Sequence, residues 1–120
     1  MADAGLFIGF GQPVRGREQQ ALGVFNEALE YYRALQEQGE VERVDAVLLE
    51  PHGGELGGFF LLQGEQAKLA AVRVNEDFQR LTARAGLIVD NLGVVGAMLG
   101  SGIEPQMTLY QAQVVELAPA

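Results

Sequence analysis

The chain has no cysteine, a single histidine, a single serine and eight lysines and arginines against sixteen aspartates and glutamates in 120 residues. Each shortage removes a class of chemistry. Without cysteine there is no disulfide framework, no thiolate nucleophile and no usual structural zinc site. The same absence fits a reducing compartment, so a cytoplasmic location is expected. A formal net charge of −8 repels phosphate backbones and anionic lipid surfaces, which makes nucleic acid and membrane unexpected partners. The basic residues also form no run: Arg15 and Arg17 are close, while Arg33, Arg43, Lys68, Arg73, Arg80 and Arg84 are scattered. Ser101 stands in "GSG" without the elbow motif of a serine hydrolase, and one histidine is too few for a typical zinc site. No metal and no cofactor are expected. The start "MADAGLFIGFG" lacks the basic flank and long apolar core of a signal peptide, and no apolar run approaches the roughly 20 residues that span a bilayer. With no internal repeat or linker, residues 1–120 are expected to form a single domain.

What is present alternates between two periodicities. "LFIGF" (Leu6 to Phe10), bounded by glycines, has the character of a buried strand. Pro13 and Gly16 break the chain. From Arg17 to Gln38, Ala21, Phe25, Ala28, Tyr32 and Leu35 step by four, three, four and three, with Leu22 and Leu29 widening the stripe, which predicts an amphipathic helix ending at Gly39. Two strands follow, "RVDAVLLE" (Arg43 to Glu50) and "GFFLLQ" (Gly58 to Gln63), joined by a long glycine-rich hairpin connection from Pro51 to Gly57. A second helical region begins near Gln66, where Ala70, Val74, Phe78, Leu81 and Ala85 have the spacing of a buried stripe. Asn75, before "EDF", can cap a fresh helix and split the region; the pattern leaves open whether "GLIVDN" continues that helix. "GVVGAML" (Gly93 to Leu99) predicts a fourth strand. Pro105 then begins a short closing helix along "PQMTLYQAQVVEL".

Strand, helix, strand, strand, helix, strand is the order of the α+β, ferredoxin-like βαββαβ fold: a four-stranded antiparallel sheet with both main helices on one face. The other face of such a sheet normally alternates to polar residues. Here it does not. Val44, Ala46 and Leu48 oppose Val47 and Leu49; Phe60 and Leu62 oppose Phe59 and Leu61; Leu6 and Ile8 oppose Phe7; Val94 and Met98 oppose Val95 and Leu99. About eight apolar side chains at roughly 100 Å² each would leave on the order of 800 Å² bare, more than the ~300–600 Å² patch of a typical monomer. The closing helix, ~20 Å long, can hide only part of it, so a homodimer formed through the sheet face is expected.

Two-sided apolar strands, this element order and the small size resemble the dimeric α+β barrel superfamily, in which two ferredoxin-like subunits pack their sheets into one barrel. "PVRGREQQAL", "LLEPHGG", "GGFFLL" and "GIEPQMTLYQ" are similar to a bacterial branch with no assigned activity. The resemblance implies more distant kinship with cofactor-free antibiotic-biosynthesis monooxygenases, EthD-like proteins and lactone isomerases. Its implied function is binding of a small organic ligand, or cofactor-independent chemistry such as proton abstraction, isomerisation or a monooxygenase-like reaction. The alternative is a non-catalytic dimeric interaction module.

Several residues are candidates for a site. His52 is the one side chain whose ordinary pKa lies near neutrality, and Glu50 can orient its ring, which makes the pair a candidate base and orienter; the same residues also read as a solvated turn. Arg15 and Arg17 flank the expected start of the first helix, where backbone N–H groups favour a carboxylate ligand, or they simply moderate an acidic surface. Tyr32 belongs to the buried stripe, and its hydroxyl needs either a partner or a cavity.

Overall fold

The computed structural model describes residues 2–119. Four strands, β1 (Ala4–Phe10), β2 (Arg43–Leu48), β3 (Gly58–Gly64) and β4 (Gly93–Met98), form one antiparallel sheet in the order β2-β3-β1-β4. Helices α1 (Glu18–Glu37), α2 (Gln66–Val74) and α3 (Glu76–Gly86) lie between the strands in the chain, and α4 (Ile103–Glu116) follows β4 after a short 3-10 turn. This is the ferredoxin-like order, with the two inner strands, β1 and β3, each leading into a helical crossover.

The register explains the core. Leu6 pairs with Leu62 across β1 and β3, and Ile8 with Phe60, so these side chains form adjacent rows on one face. That face receives Ala21, Val24, Ala28, Tyr32 and Leu35 of α1, Leu69 and Val72 of α2, and Phe78 and Leu81 of α3. Leu62 is the centre of the layer, with 0 % of its surface exposed. Fully burying one such side chain is worth about 1.5–3 kcal/mol, which makes this shared face the main stabilising feature of the sheet.

Helix ends follow local chemistry. At the end of α1, Gly39 takes a φ of +76°; its N–H bonds the Gln36 carbonyl and the Glu40 N–H bonds the Leu35 carbonyl, a pairing that satisfies otherwise orphaned carbonyls. Asn75 has extended backbone angles and its Oδ1 accepts from the Asp77 N–H at 2.8 Å. The split expected there is present. It also overturns the single stripe drawn through the region: Val74 is 73 % exposed and Ala70 is exposed, while Leu69 and Val72 are buried. The restart at Asn75 resets the helical phase, so a pattern extrapolated back from Phe78 marks the wrong residues.

Beyond α3 the chain bends away. The Val14 N–H bonds the Ile88 carbonyl, the Asp90 N–H bonds the Gln12 carbonyl, and the Gly11 N–H bonds the Asp90 carbonyl at 2.7 Å. "LIVD" thus continues the sheet past the end of β1, and no Cβ fits at Gly11, where it would lie 2.8 Å from both the Asp90 and Glu55 carbonyls.

The face away from the helices carries Phe7, Val47, Phe59, Leu61, Val95 and Ala97, with Leu56 leaning over Gly9 and Leu99 over Gly5. Phe7 and Phe59 are 5.0 Å apart between ring centroids. These contacts leave most of the side chains partly buried, so the face presents less than the full extent expected of it. At one end the pattern turns polar: Asp45 accepts from Gln63 Nε2 at 2.7 Å and pairs with Arg43 Nε at 3.0 Å. Helix α4 covers none of it with a buried residue; all its side chains are exposed or nearly so.

Candidate functional site

Where α1, α3 and the β1 end of the sheet diverge, they leave a cavity of about 550 Å³. The helices contribute small residues to its lining, Ala21 and Ala28 on α1 and Ala85 on α3. Around them stand large apolar walls, Ile8, Phe10, Phe25, Phe60 and Leu81. Phe25 and Phe60 are 5.1 Å apart, and Phe10 contacts both. The exposed lining residues mark the rim: Gln12, Glu18 and Asn26 are polar, and Leu22, Leu49 and Pro51 are apolar. A concave, mostly apolar space of this size with a few polar groups has the form of a small-molecule site.

Leu22, expected to widen the core stripe of α1, is 68 % exposed and lies on this rim instead. One helical step carries it past the sheet to the place where the layers separate.

Tyr32 is the polar group of the floor. It is 2 % exposed, lies against Phe60 with ring centroids 5.0 Å apart, and lines the cavity. Among the described residues its hydroxyl has no hydrogen-bond partner, yet no buried side-chain oxygen is left unsatisfied. The residue's small accessible remainder is therefore at the hydroxyl. Burial, and secondarily the neighbouring Tyr31 phenol, hold its pKa well above the ordinary 10.0. It is a neutral hydrogen-bond donor at any physiological pH. Tyr31 is shifted in the same direction by burial and by the Asp77 carboxylate.

The structure separates the other candidates from this floor. His52 is exposed and lies in the β2–β3 connection, with both ring nitrogens engaged locally: Nε2 is 2.8 Å from the Leu56 carbonyl, and Nδ1 accepts from the Gly54 N–H at 3.2 Å. A carbonyl only accepts, so in this arrangement Nε2 donates and Nδ1 accepts. The ring thus braces the loop from inside. Glu50 is exposed and makes no hydrogen bond to the ring; Pro51, between the two, lines the cavity rim. Arg15 and Arg17 are exposed and without ion pairs among the described residues, with Arg17 immediately before α1 and Glu18 of the rim next to it. Among those residues no group of three or more histidine, aspartate or glutamate side chains is placed to hold a metal ion, and no helix is long and apolar enough to cross a membrane.

Tyr32, whose hydroxyl needs a partner or a cavity, lines this one. The signal for its walls is the alanines at positions 21, 28 and 85, small residues on helical stripes that read equally well as core.

No family model matches the chain, and no curated protein matches it. Solved structures that share its architecture include two dimeric proteins. One is a dimeric protein of unknown function and ferredoxin-like fold from Bacteroides fragilis NCTC 9343, with a TM-score of 0.59 at 10 % identity over 80 % of this chain and 96 % of that one. The other, a dimeric ferredoxin-like protein of unknown function from Jannaschia sp. CCS1, gives a TM-score of 0.62 at 16 % identity over 80 % of this chain and 99 % of that one. At such identities the likeness shows the fold alone.

Proposed function

We propose that this protein binds a small, largely apolar organic molecule with a polar or anionic end, and that it does so as a homodimer. The observation that carries the reading is the 550 Å³ cavity with the unpartnered Tyr32 hydroxyl on its floor. The hydroxyl keeps its accessible surface and has no partner among the described residues, so it is a donor free to meet a ligand oxygen. Arg15 and Arg17, beside the rim residue Glu18, would hold a carboxylate left at the mouth, helped by the N-terminus of α1.

Within this reading, chemistry falls to His52 as base, acting without a bound cofactor on a substrate reaching out past Pro51, and Glu50 would orient the ring only by replacing the Leu56 carbonyl at Nε2. The ring would first have to give up the Gly54 N–H, because Nδ1 cannot accept from the loop and from substrate together. The kinship with monooxygenase, EthD-like and isomerase proteins belongs to this proposal and rests on architecture. Pairing through the sheet face is supported by its exposed apolar residues and by the dimeric description of both similar structures.

Calorimetric titration with a panel of medium-chain carboxylates and indole carboxylates tests the reading. Binding should be lost in Ala85→Phe, which fills the cavity from α3. A panel that fails to bind, or binding that survives the filled cavity, would leave the non-catalytic interaction module as the better account.

A further inference from the structure

Helix α4 is a folded element with nothing beneath it. It packs on little besides the 3-10 turn Gly100–Gly102 and has no buried residue. Its projection shows in the dimensions: the radius of gyration is 16.7 Å, where a compact chain of this length would have roughly 14 Å. An isolated helix shorter than about 12–15 residues is marginal in water. A helix of 14 residues on this stalk therefore needs a partner.

The pattern on α4 says what kind. Ile103, Met107, Tyr110, Val114 and Leu117 are separated by four, three, four and three residues, the 3.5-residue repeat of a seam between two helices. At 100° per residue these five span a narrow stripe, with Leu109 and Val115, 56 % and 68 % exposed, standing outside it on the flanks. All are about half exposed or more, with Tyr110 at 65 % and Leu117 at 82 %. Beside the seam stand Gln106, Gln111 and Gln113, and Glu104 is the one charge there. In a chain with net charge −8, flanks whose one charge is Glu104 let two seams approach with little repulsion.

We infer that α4 pairs with the α4 of a second copy of this chain, seam against seam, across a two-fold axis near Tyr110. The area supports this occupant. The sheet face is partly self-covered, so it falls short of the ~800 Å² per partner of a standard stable interface. Seam side chains of this size add on the order of 500 Å², which brings the total into that range. The patch is self-complementary, as a symmetric dimer requires. The inference does not depend on ligand binding; its area argument adds to the sheet pairing proposed above, and its test reads α4 alone.

Because the chain lacks cysteine, Tyr110→Cys places one thiol at the middle of the seam, the position nearest its symmetry mate whether the helices run parallel or antiparallel. Thr108→Cys places it on the far side. Under a mild oxidant Tyr110→Cys should give disulfide-linked dimer at least tenfold faster than Thr108→Cys. Sedimentation of Met107→Glu should show a dimer dissociation constant raised at least tenfold, with Thr108→Glu within twofold of the parent. Neither glutamate threatens the fold, since α4 contributes nothing to the core. Equal cross-linking of the two cysteine variants, or equal dissociation constants for the two glutamate variants, overturns the inference; so does a parent chain that sediments as a monomer at every concentration.

Discussion

Replacing Tyr32 with phenylalanine should stabilise the free protein while weakening its hold on ligand. The ring keeps its neighbours, Phe60 at 5.0 Å and Phe78 at 6.5 Å, so packing is preserved. Only the oxygen is removed. A buried hydroxyl without a partner costs about 1–3 kcal/mol, and because this one retains a sliver of accessible surface the lower end applies. The variant should gain about 1 kcal/mol, or about 4 °C in melting temperature for a chain of this size. A ligand that accepts from the hydroxyl should lose about 1–1.5 kcal/mol, roughly 5- to 12-fold in affinity. The pH dependence follows from the raised pKa. Above the unfolded value of 10.0 the folded state still holds a proton that the unfolded state has released. Stability is thus complete below about pH 10 and falls as pH rises beyond it, by about 1.4 kcal/mol per pH unit for one such group. Urea titrations between about pH 8 and pH 11 should show that alkaline decline reduced in Tyr32→Phe, with the smaller Tyr31 share remaining. A variant less stable than the parent at neutral pH would mean that the hydroxyl is bonded, and an unchanged alkaline decline would mean that Tyr32 does not hold its proton beyond pH 10; either result refutes the reasoning.

Gly58→Ala should cost about 2–3 kcal/mol in urea titration, because a Cβ there would lie 2.5 Å from the Val47 carbonyl and 2.9 Å from the Phe10 ring; a loss below about 0.5 kcal/mol would show that the β2–β3 register yields easily. His52→Ala should lower global stability by less than about 1 kcal/mol while accelerating exchange of the Gly54 amide at least tenfold, and an unchanged amide would show that the ring does not brace the loop. Leu61→Glu should raise the dimer dissociation constant about a hundredfold with the fold retained; an unchanged constant in sedimentation would remove the sheet face from the interface.

The sequence carried the fold wherever burial is enforced by the chain itself. The alternation of Leu6 and Ile8, of Phe60 and Leu62, and the Ala21-to-Leu35 stripe each report a side chain touching another element of the same chain, and Gly39 and Asn75 act through local hydrogen bonds that spacing alone reveals. Legibility failed where phase or emptiness mattered. The stripe through Ala70 and Val74 ignored the phase reset at Asn75. Leu22 looked like core because periodicity records direction and not whether anything lies in that direction. The walls of the cavity are illegible for the same reason, since Ala21, Ala28 and Ala85 mark missing volume, and volume depends on the distance between helices. The stripe on α4 was legible as apolar, but what covers it lies outside one copy of the chain. His52 stood out by chemistry, whereas its bonds to Gly54 and Leu56 depend on the loop's path, which four nearby glycines leave open.

Whether the space above Tyr32 is a binding site is read most directly in the amide spectrum of isotopically labelled protein titrated with a medium-chain carboxylate. Saturable shifts should be concentrated at Ala21, Ala28, Tyr32 and Ala85. Shifts confined to the open sheet face and α4, or none as the carboxylate saturates, would contradict a site there.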